Sequence, residues 1–486
     1  MPANKINQSS SRLLRTTDDD RPLARDLKDL FSTLVVSLLP LTAHRVRFTK
    51  VEYSFLSEDA IHNLGNLKLL QSNRMPDPKD PTRTVISTST TIFSMSKDMA
   101  CSLCQRFLDA HFIESADGKH EPVFNPKGWV WKLTSKGITI LNWFCLKNGI
   151  EHDQIPDLVN LITTPLITLE RNQETDKLYL DRGTIEVIYC RLVGVGGRGN
   201  KAPMLMNDST YKNLAGVRML AERKVNGRVY HDTFTGQAVG DWLMDYTTTM
   251  DIREAVELAA LFVHHDLIET VVQDRAHAAQ FPRCKLFQPT QAAVYALSQR
   301  GQDLVENSSS GRCSSEGKGD GSSHHGSAND SNSQRLDKIL TDPTLRLLFR
   351  ENLRDTHCEE NLSFYQEVDD FIRQCKMAVR TLQVTDTASV DSAKELLAQS
   401  YIIFNTFLAP GSPRELNINH QLRISLSDRM TKAQAQDATV ADTLQEVTSL
   451  FEGAQNAVFK LMASDSVPKF LHNPKAEYRL VQAGIR

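Results

Sequence analysis

The chain has 486 residues, more than one hydrophobic core usually organises, and at about 100–200 residues per domain two to four domains are expected. Hydrophobic residues make up 40% and charged residues 24%, an ordinary balance for a globular protein with a sizeable core. The formal net charge of -3 argues against a nucleic-acid partner, and eight scattered cysteines do not read as a disulfide framework. The polar N-terminus, MPANKINQSSSRLLRTTDDD, shows no apolar segment of a secretory signal, and the Leu34–Leu41 run is too short to span a bilayer. A cytoplasmic protein is expected, with any membrane contact peripheral.

In chain order, residues 1–24 are expected to lack structure. A repeat then appears: Phe107–Glu114 resembles Phe262–Glu269 at an offset of 155 residues, and Thr134–Leu141 resembles Thr290–Leu297 at an offset of 156. Two matches at nearly one offset argue for a duplicated domain. Between the copies, Ile185–Val193 looks strand-like. In the second copy Asn226-Gly227 marks a turn. Thr233–Tyr246 reads as a helix with Val239, Trp242 and Leu243 on one face. Asp251 is placed to cap the next helix, on which Ala255, Leu258, Leu261 and Phe262 recur at helical spacing. Helices with a small β element in about 90 residues suggest a compact α+β module of winged-helix shape.

Glu306–Gln334 is rich in Ser and Gly and reads as a flexible linker. Beyond it the pattern is all-α. Asp342-Pro343 is an N-cap with proline in the first turn, and Leu345, Leu348, Phe349 and Leu353 line one face. Thr356–Glu359 fits a capping box that starts a second helix, with Leu362, Tyr365, Val368, Ile372 and Cys375 as its stripe. Further helices cover Ala393–Phe407 and about 443–462, which makes a bundle.

No motif supplies a nucleophile, base or metal set. Gly194-Val-Gly196-Gly-Arg-Gly199 satisfies GxGxxG, but no helical stripe follows to point amides at a phosphate. Cys101-Ser-Leu-Cys104 lies in an apparent helix and reads as structural. Arg218, Arg223, Lys224 and Arg228 cluster around the Asn226-Gly227 turn and suit an anionic lipid or acidic peptide, although a solvated face explains them as well.

Several blocks carry a family resemblance. Phe234-Thr-Gly236, Val239, Asp241-Trp242-Leu243-Met244, Glu254-Ala-Val and Leu267-Ile268 resemble the DEP signature over about residues 215–300, and the first copy resembles a more divergent DEP-like domain. Leu345–Arg354, Cys358–Tyr365 and Phe459–Leu471 resemble an RGS domain over about residues 337–475. The layout is similar to that of fungal pheromone-desensitising and developmental-regulator RGS proteins. The resemblance implies a multidomain chain: a divergent DEP-like domain at 25–155, a connecting segment at 156–212, a DEP domain at 213–302, a linker at 303–336 and an RGS helical bundle at 337–478. Both DEP domains are then α+β and winged-helix-like. It implies a GTPase activator of a heterotrimeric G-protein α subunit that ends receptor signalling, with no catalytic residues and no cofactor of its own. The DEP domains imply recruitment to a receptor tail or an anionic plasma-membrane surface, with Arg223, Lys224 and Arg228 as contacts.

By the same resemblance Glu360, Asn361, Asn417, Leu461, Asp465 and Lys469 would meet Gα. Asp465 would accept hydrogen bonds from switch amides, and Asn417 would steady the partner's catalytic glutamine. Taken singly, Glu360 reads as a helix-dipole partner, Asn417 as a turn residue and Asp465 as a cap; only their joint order favours the contact reading. Asn352, Ala463, Val467 and Lys469 depart from the family pattern, and the Ile418–Gln445 stretch is longer than in compact members. An alternative is a DEP-based scaffold that binds Gα or receptor tails without accelerating hydrolysis. Nucleic-acid binding through a winged helix is the weakest reading at this net charge.

Overall fold

The structure, a computed structural model, describes residues 15–17, 21–77, 80–119, 121–162, 165–172, 175–194, 216–225, 227–281, 286–310, 328–381, 387–412, 414–432 and 440–485. It divides into two compact units: residues 1–68, 92–144 and 152–315, and residues 69–91, 145–151 and 316–486. Of the N-terminal stretch expected to lack structure, Arg15 is held by an ion pair to Asp26, and Thr16 bridges Pro22.

The first unit opens with helix α1 (Ala24–Leu38), whose Leu27, Leu30, Phe31, Leu34 and Val35 are buried at helical spacing. Strands β1 (Thr42–Val46) and β2 (Thr49–Leu56) form a hairpin before α2 (Ser57–Gly65). β3 (Asn66–Asp77) and β4 (Asp80–Ser94) pair with each other and, over residues 69–91, belong to the second unit. Then come α3 (Lys97–Asp109), β5 (Ile113–Ser115), β6 (Val130–Leu133), α4 (Ser135–Asn148) and α5 (Gln154–Asn160). The sheet order is β1-β2-β6-β5, all antiparallel. Phe31 packs on Phe107 and Phe112, with ring centroids 5.4 and 4.8 Å away, so α1 and α3 share one core.

The segment expected to be strand-like is helix α6 (Arg182–Val193). Asp181 caps it by accepting from the Gly183 and Thr184 amides, and Ile185, Ile188, Tyr189 and Leu192 are buried at helical spacing. The run looks strand-like in sequence, but burial against the helices at Ile252–His264 and Gln299–Ser310 decides for a helix. Gly194, at φ 86°, ends α6, so the glycine-rich run begins at the carbonyl end of a helix, the wrong polarity for a phosphate. Residues 195–200 lie outside the described residues.

The second module follows as β7 (Leu220–Val225), β8 (Arg228–Thr235), α7 (Gly236–Tyr246), α8 (Ile252–His264), β9 (Ile268–Val272), α9 (Arg275–Gln280), β10 (Val294–Leu297) and α10 (Gln299–Ser310). Residues 233–235, expected as helix, end β8 instead, and the Thr235 hydroxyl caps α7. Asp251 caps α8 as expected, accepting from the Arg253 and Glu254 amides. The sheet order β7-β8-β10-β9 repeats that of the first module.

The likeness reaches single residues. Tyr53 in β2 and Asp232 in β8 are both left-handed, as are His111 and Asp266 after α3 and α8. The Thr134 hydroxyl donates to His111 O, and the Ser298 hydroxyl donates to Asp266 O. A Cβ on Gly137 would lie 2.1 Å from Phe112 O, and one on Gly301 2.1 Å from Leu267 O. The repeat is real as a fold, but its second match needs correction. Thr134–Leu141 leads into α4, whereas Thr290–Leu297 covers a loop and β10. The counterpart of Thr134 is Ser298, because the β9–β10 connection is longer than the β5–β6 connection.

Buried polar groups join the two modules. Lys136, 2% exposed, donates to Met244 O at 2.7 Å and Thr249 O at 2.6 Å, at the carbonyl end of α7. Arg171, in the segment between the modules, holds Glu254 with two hydrogen bonds of 2.6 Å. At the exposed margin of the joint, His111 and Asp245 approach to 2.7 Å. Cys104 is buried in α3 and burial pushes its thiol pKa up, as suits a structural cysteine; Cys101 is partly exposed.

Apart from the β3–β4 pair, the second unit is helical: α11 (Ala328–Thr341), α12 (Pro343–Asp355), α13 (Glu359–Thr381), α14 (Thr387–Ile403), α15 (His420–Lys432), α16 (Val440–Leu461), α17 (Val467–Leu471) and α18 (Glu477–Gln482). Because α10 runs to Ser310 and α11 starts at Ala328, both ends of the expected Glu306–Gln334 linker are helical; residues 311–327 lie outside the described residues. Asp342 caps α12 through the Leu345 amide, with Pro343 in the first turn. Ring pairs Phe364–Phe407 and Phe371–Phe451 fill the core between α13, α14 and α16. Two π-helical turns, Phe404–Leu408 and Met462–Ser466, end α14 and α16. The expected capping box is not the contact formed: the Thr356 hydroxyl donates back to Asn352 O and Leu353 O, closing α12, while Glu359 pairs with Arg354.

Candidate functional site

Glu360 and Asn361 sit in the first turn of α13; Glu360 is half-buried and Asn361 is 6% exposed. Their corner is set by a bidentate pair, Arg354 Nε to Glu359 Oε2 at 3.0 Å and Nη2 to Oε1 at 2.9 Å. Burial opposes ionisation of Glu359, but the Arg354 hydrogen bonds and the charges of Arg354, Arg414 and Arg350 outweigh it and hold its pKa below the usual glutamate value.

Asn417 is exposed between two buried neighbours, Leu416 (1%) and Ile418 (9%). Those apolar anchors leave its amide facing outward. The loop is clasped by Glu415, which accepts from the Gly411 amide at 2.9 Å and pairs with Arg423. Arg423 Nη2 also donates to Leu416 O at 2.6 Å. Sequence reading did not single out Glu415 or Arg423. Their eight-residue separation across a loop and a helix start carries no local signal.

Leu461 ends α16, and Asp465 lies in the π turn that follows. A π turn shifts side chains out of α register and is frequent at functional sites. Asp465 and Lys469 are exposed and paired at 2.8 Å, and that hydrogen bond raises the Lys469 pKa. The departing residues Ala463 and Val467 point inward, at 4% and 0% exposure, so they alter packing rather than the rim.

Other contacts brace the elements that carry these segments. Arg414 Nη2 donates to the Ser363 hydroxyl at 2.9 Å, linking the Asn417 loop to the first turns of α13. Phe349 packs edge-on against Phe470 at 5.2 Å. Asn352, expected to disturb the core, is buried, and its Oδ1 accepts from Asn473 Nδ2 at 2.8 Å while its own Nδ2 finds no partner. The polar substitution thus costs half a hydrogen-bond set but adds a bridge from α12 to the chain after α17. Among the described residues, no group of three His, Cys, Asp or Glu is arranged to hold a metal ion.

On the second module, Arg223, Lys224 and Arg228 lie on the β7–β8 hairpin. Lys224 and Arg228 are exposed, and Arg223 Nε reaches the Thr233 hydroxyl at 3.3 Å. Leu220 and Val229 are exposed on the same hairpin. Among the described residues no helix is long and apolar enough to cross a membrane.

Three family descriptions match the chain in order: "Fungal-differentiation regulator winged helix domain" at residues 26–161, "Domain found in Dishevelled, Egl-10, and Pleckstrin (DEP)" at 216–297, and "Regulator of G protein signaling domain" at 335–476. The DEP description matches the second module and the fungal winged-helix description the first, so one DEP domain is shown. The chain is 51% identical to "Developmental regulator flbA" of Emericella nidulans over 97% of its length, and spans 66% of that relative. It is 26% identical to "Regulator of G-protein signaling 1" of Schizosaccharomyces pombe over 96% of its length and 92% of the relative. Human "Regulator of G-protein signaling 7" is 28% identical over 30% of this chain and 24% of its own. With these three matches in this order, the chain belongs to the RGS family and is of the fungal developmental-regulator type.

Proposed function

We propose that this protein is a GTPase activator of a heterotrimeric G-protein α subunit, and that its RGS domain acts by stabilising the hydrolysis transition state. A Gα subunit carries its own catalytic arginine and water-orienting glutamine, so a partner needs only to bind their productive arrangement best. A rigid polar rim suits that task, and no nucleophile is required. The observation that carries the reading is the Arg354–Glu359 corner that holds Glu360 and Asn361 and is joined to the Asn417 loop by Arg414 and Ser363, with Asn417 and Asp465 both exposed. In this reading Glu360, Asn361, Leu461 and Lys469 complete the contact. The DEP domain, through Arg223, Lys224 and Arg228, directs the protein peripherally to a receptor tail or the plasma membrane.

Single-turnover GTP hydrolysis on purified Gα, with and without the full chain, tests this. Acceleration is expected, and Asn417→Ala combined with Asp465→Ala should lower it by about a hundredfold or more while helical content stays unchanged. Binding to Gα with unaltered hydrolysis would replace the activator by the DEP-based scaffold.

A further inference from the structure

The two winged-helix modules build the same two-residue hairpin and then differ at its tip. Val46 pairs with Thr49 and Arg45 with Lys50 in the first; Val225 pairs with Arg228 and Lys224 with Val229 in the second. The tip of the second carries Gly227, left-handed at φ 79° as such a turn favours, while Asn226 of the expected turn lies outside the described residues. The tip of the first is Arg47-Phe48. Arg47 is left-handed at φ 54°, a conformation that the first position of this turn ordinarily gives to Gly, Asn or Asp. Phe48 is 98% exposed, the most exposed of the large apolar side chains described.

A hairpin does not need either residue for its own stability. Backbone strain at a tip together with a fully solvated aromatic ring is a cost that folding does not recover, and it points to a use outside the fold. The surroundings say what kind. Arg45, Arg47 and Lys50 lie within three residues of Phe48 on the same hairpin and are all exposed. Arg47 reaches Asp117 at 3.4 Å and Lys50 reaches Glu52 at 2.6 Å, both as solvent-screened pairs that can open. An aromatic wedge inside a basic collar matches the two layers of an anionic bilayer: the ring enters the acyl boundary, and the cations stay among the phosphates. An apolar pocket on a protein would gain nothing from the collar.

Deepening the peripheral-membrane part of the proposed function, we propose that the Arg47-Phe48 tip inserts into an anionic phospholipid surface, so that the first module anchors the chain. The Arg223, Lys224 and Arg228 hairpin, which lacks an aromatic tip, adds electrostatic attraction only.

The test is sedimentation of the full chain with vesicles of phosphatidylcholine alone or mixed with phosphatidylserine. The wild-type chain should bind only the mixed vesicles, and less well as salt rises. Phe48→Ala should weaken that binding by roughly tenfold or more. Neutralising Arg45, Arg47 and Lys50 with glutamine should cost about fivefold per charge. Arg47→Gly with Phe48→Ser installs a standard turn, so it should unfold no earlier than wild type yet lose binding as Phe48→Ala does, with a further loss of about fivefold for the Arg47 charge. The proposal is overturned if wild type ignores the mixed vesicles, as a protein-pocket role for Phe48 requires. Equal binding to neutral vesicles, or undiminished binding by Phe48→Ala, overturns it too. GTP hydrolysis by Gα in vesicle-free solution reads the other half of the function, so either result can fail alone.

Discussion

The joined winged-helix modules and the helical unit keep their charges in different places. Between the modules the charges are buried: Lys136 under the carbonyl end of α7, and Arg171 against Glu254 with side chains 10% and 8% exposed. On the candidate rim they are partly or fully exposed, as Arg354–Glu359, Glu415–Arg423 and Asp465–Lys469. A buried pair tolerates one geometry only, because any misfit leaves a charge without solvent or partner. A rim pair orients a loop at small cost and leaves its face open to a partner. The first arrangement suits a fixed joint, the second a docking edge.

The sharpest way to break this contrast is Arg171→Ala. It strands Glu254 in the joint and should cost about 3–5 kcal/mol. All four tryptophans, Trp129, Trp131, Trp143 and Trp242, lie in the first unit, so urea unfolding followed by tryptophan emission reports that unit by itself. An unchanged midpoint would mean the joint is not held by this pair.

Lys136 gives the next largest effect. Burial, and then the nearby Lys28 charge, push its pKa down to about 7 from 10.5. The unfolded chain binds this proton below about 10.5 and the folded chain only below about 7. Stability contributed by this group should therefore rise with pH between those values, by up to about 1.4 kcal/mol per unit. Lys136→Met should flatten that slope in tryptophan-monitored unfolding; a slope equal to wild type would assign the pH dependence elsewhere.

On the rim, Arg423→Ala should release the Glu415 clasp and misplace Asn417. Acceleration of Gα hydrolysis should fall about tenfold, with little loss of stability. A large drop in melting temperature would instead make Arg423 part of the fold.

The smallest effect is expected for Glu359→Gln. Because the Glu359 pKa is depressed, its contribution is present above about 4.5 and is lost as pH falls through the lower folded value. With side chains 28% and 25% exposed, the Arg354 pair should be worth about 1 kcal/mol after screening. Calorimetry should show the helical unit of wild type and variant converging in acid; a constant gap would contradict the assignment.

Local chemistry was the legible part of the sequence. The Asp251 and Asp342 caps and the apolar faces of α8 and α12 all depend on residues within a turn or two of each other. Features that depend on distant partners were missed. Ile185–Val193 reads as strand until its burial against α8 and α10 is known, although Ile185, Ile188, Tyr189 and Leu192 already recur at helical spacing. Thr356 looked like an N-cap because of Glu359, but Arg354 claims that carboxylate and the hydroxyl turns back to α12. The second repeat match slipped because connection lengths differ between the modules.

Sequence by itself determined the order of the domains and the identity of the blocks that carry the RGS likeness, since these are runs of neighbours with their own caps and stripes. Only the tertiary structure decided that Glu415 and Arg423 brace Asn417, that Lys136 closes the joint between the modules, and that Phe48 stands in solvent at a strained turn. In each case the outcome depends on burial, exposure or backbone geometry in the folded chain, which no pattern of residue types encodes.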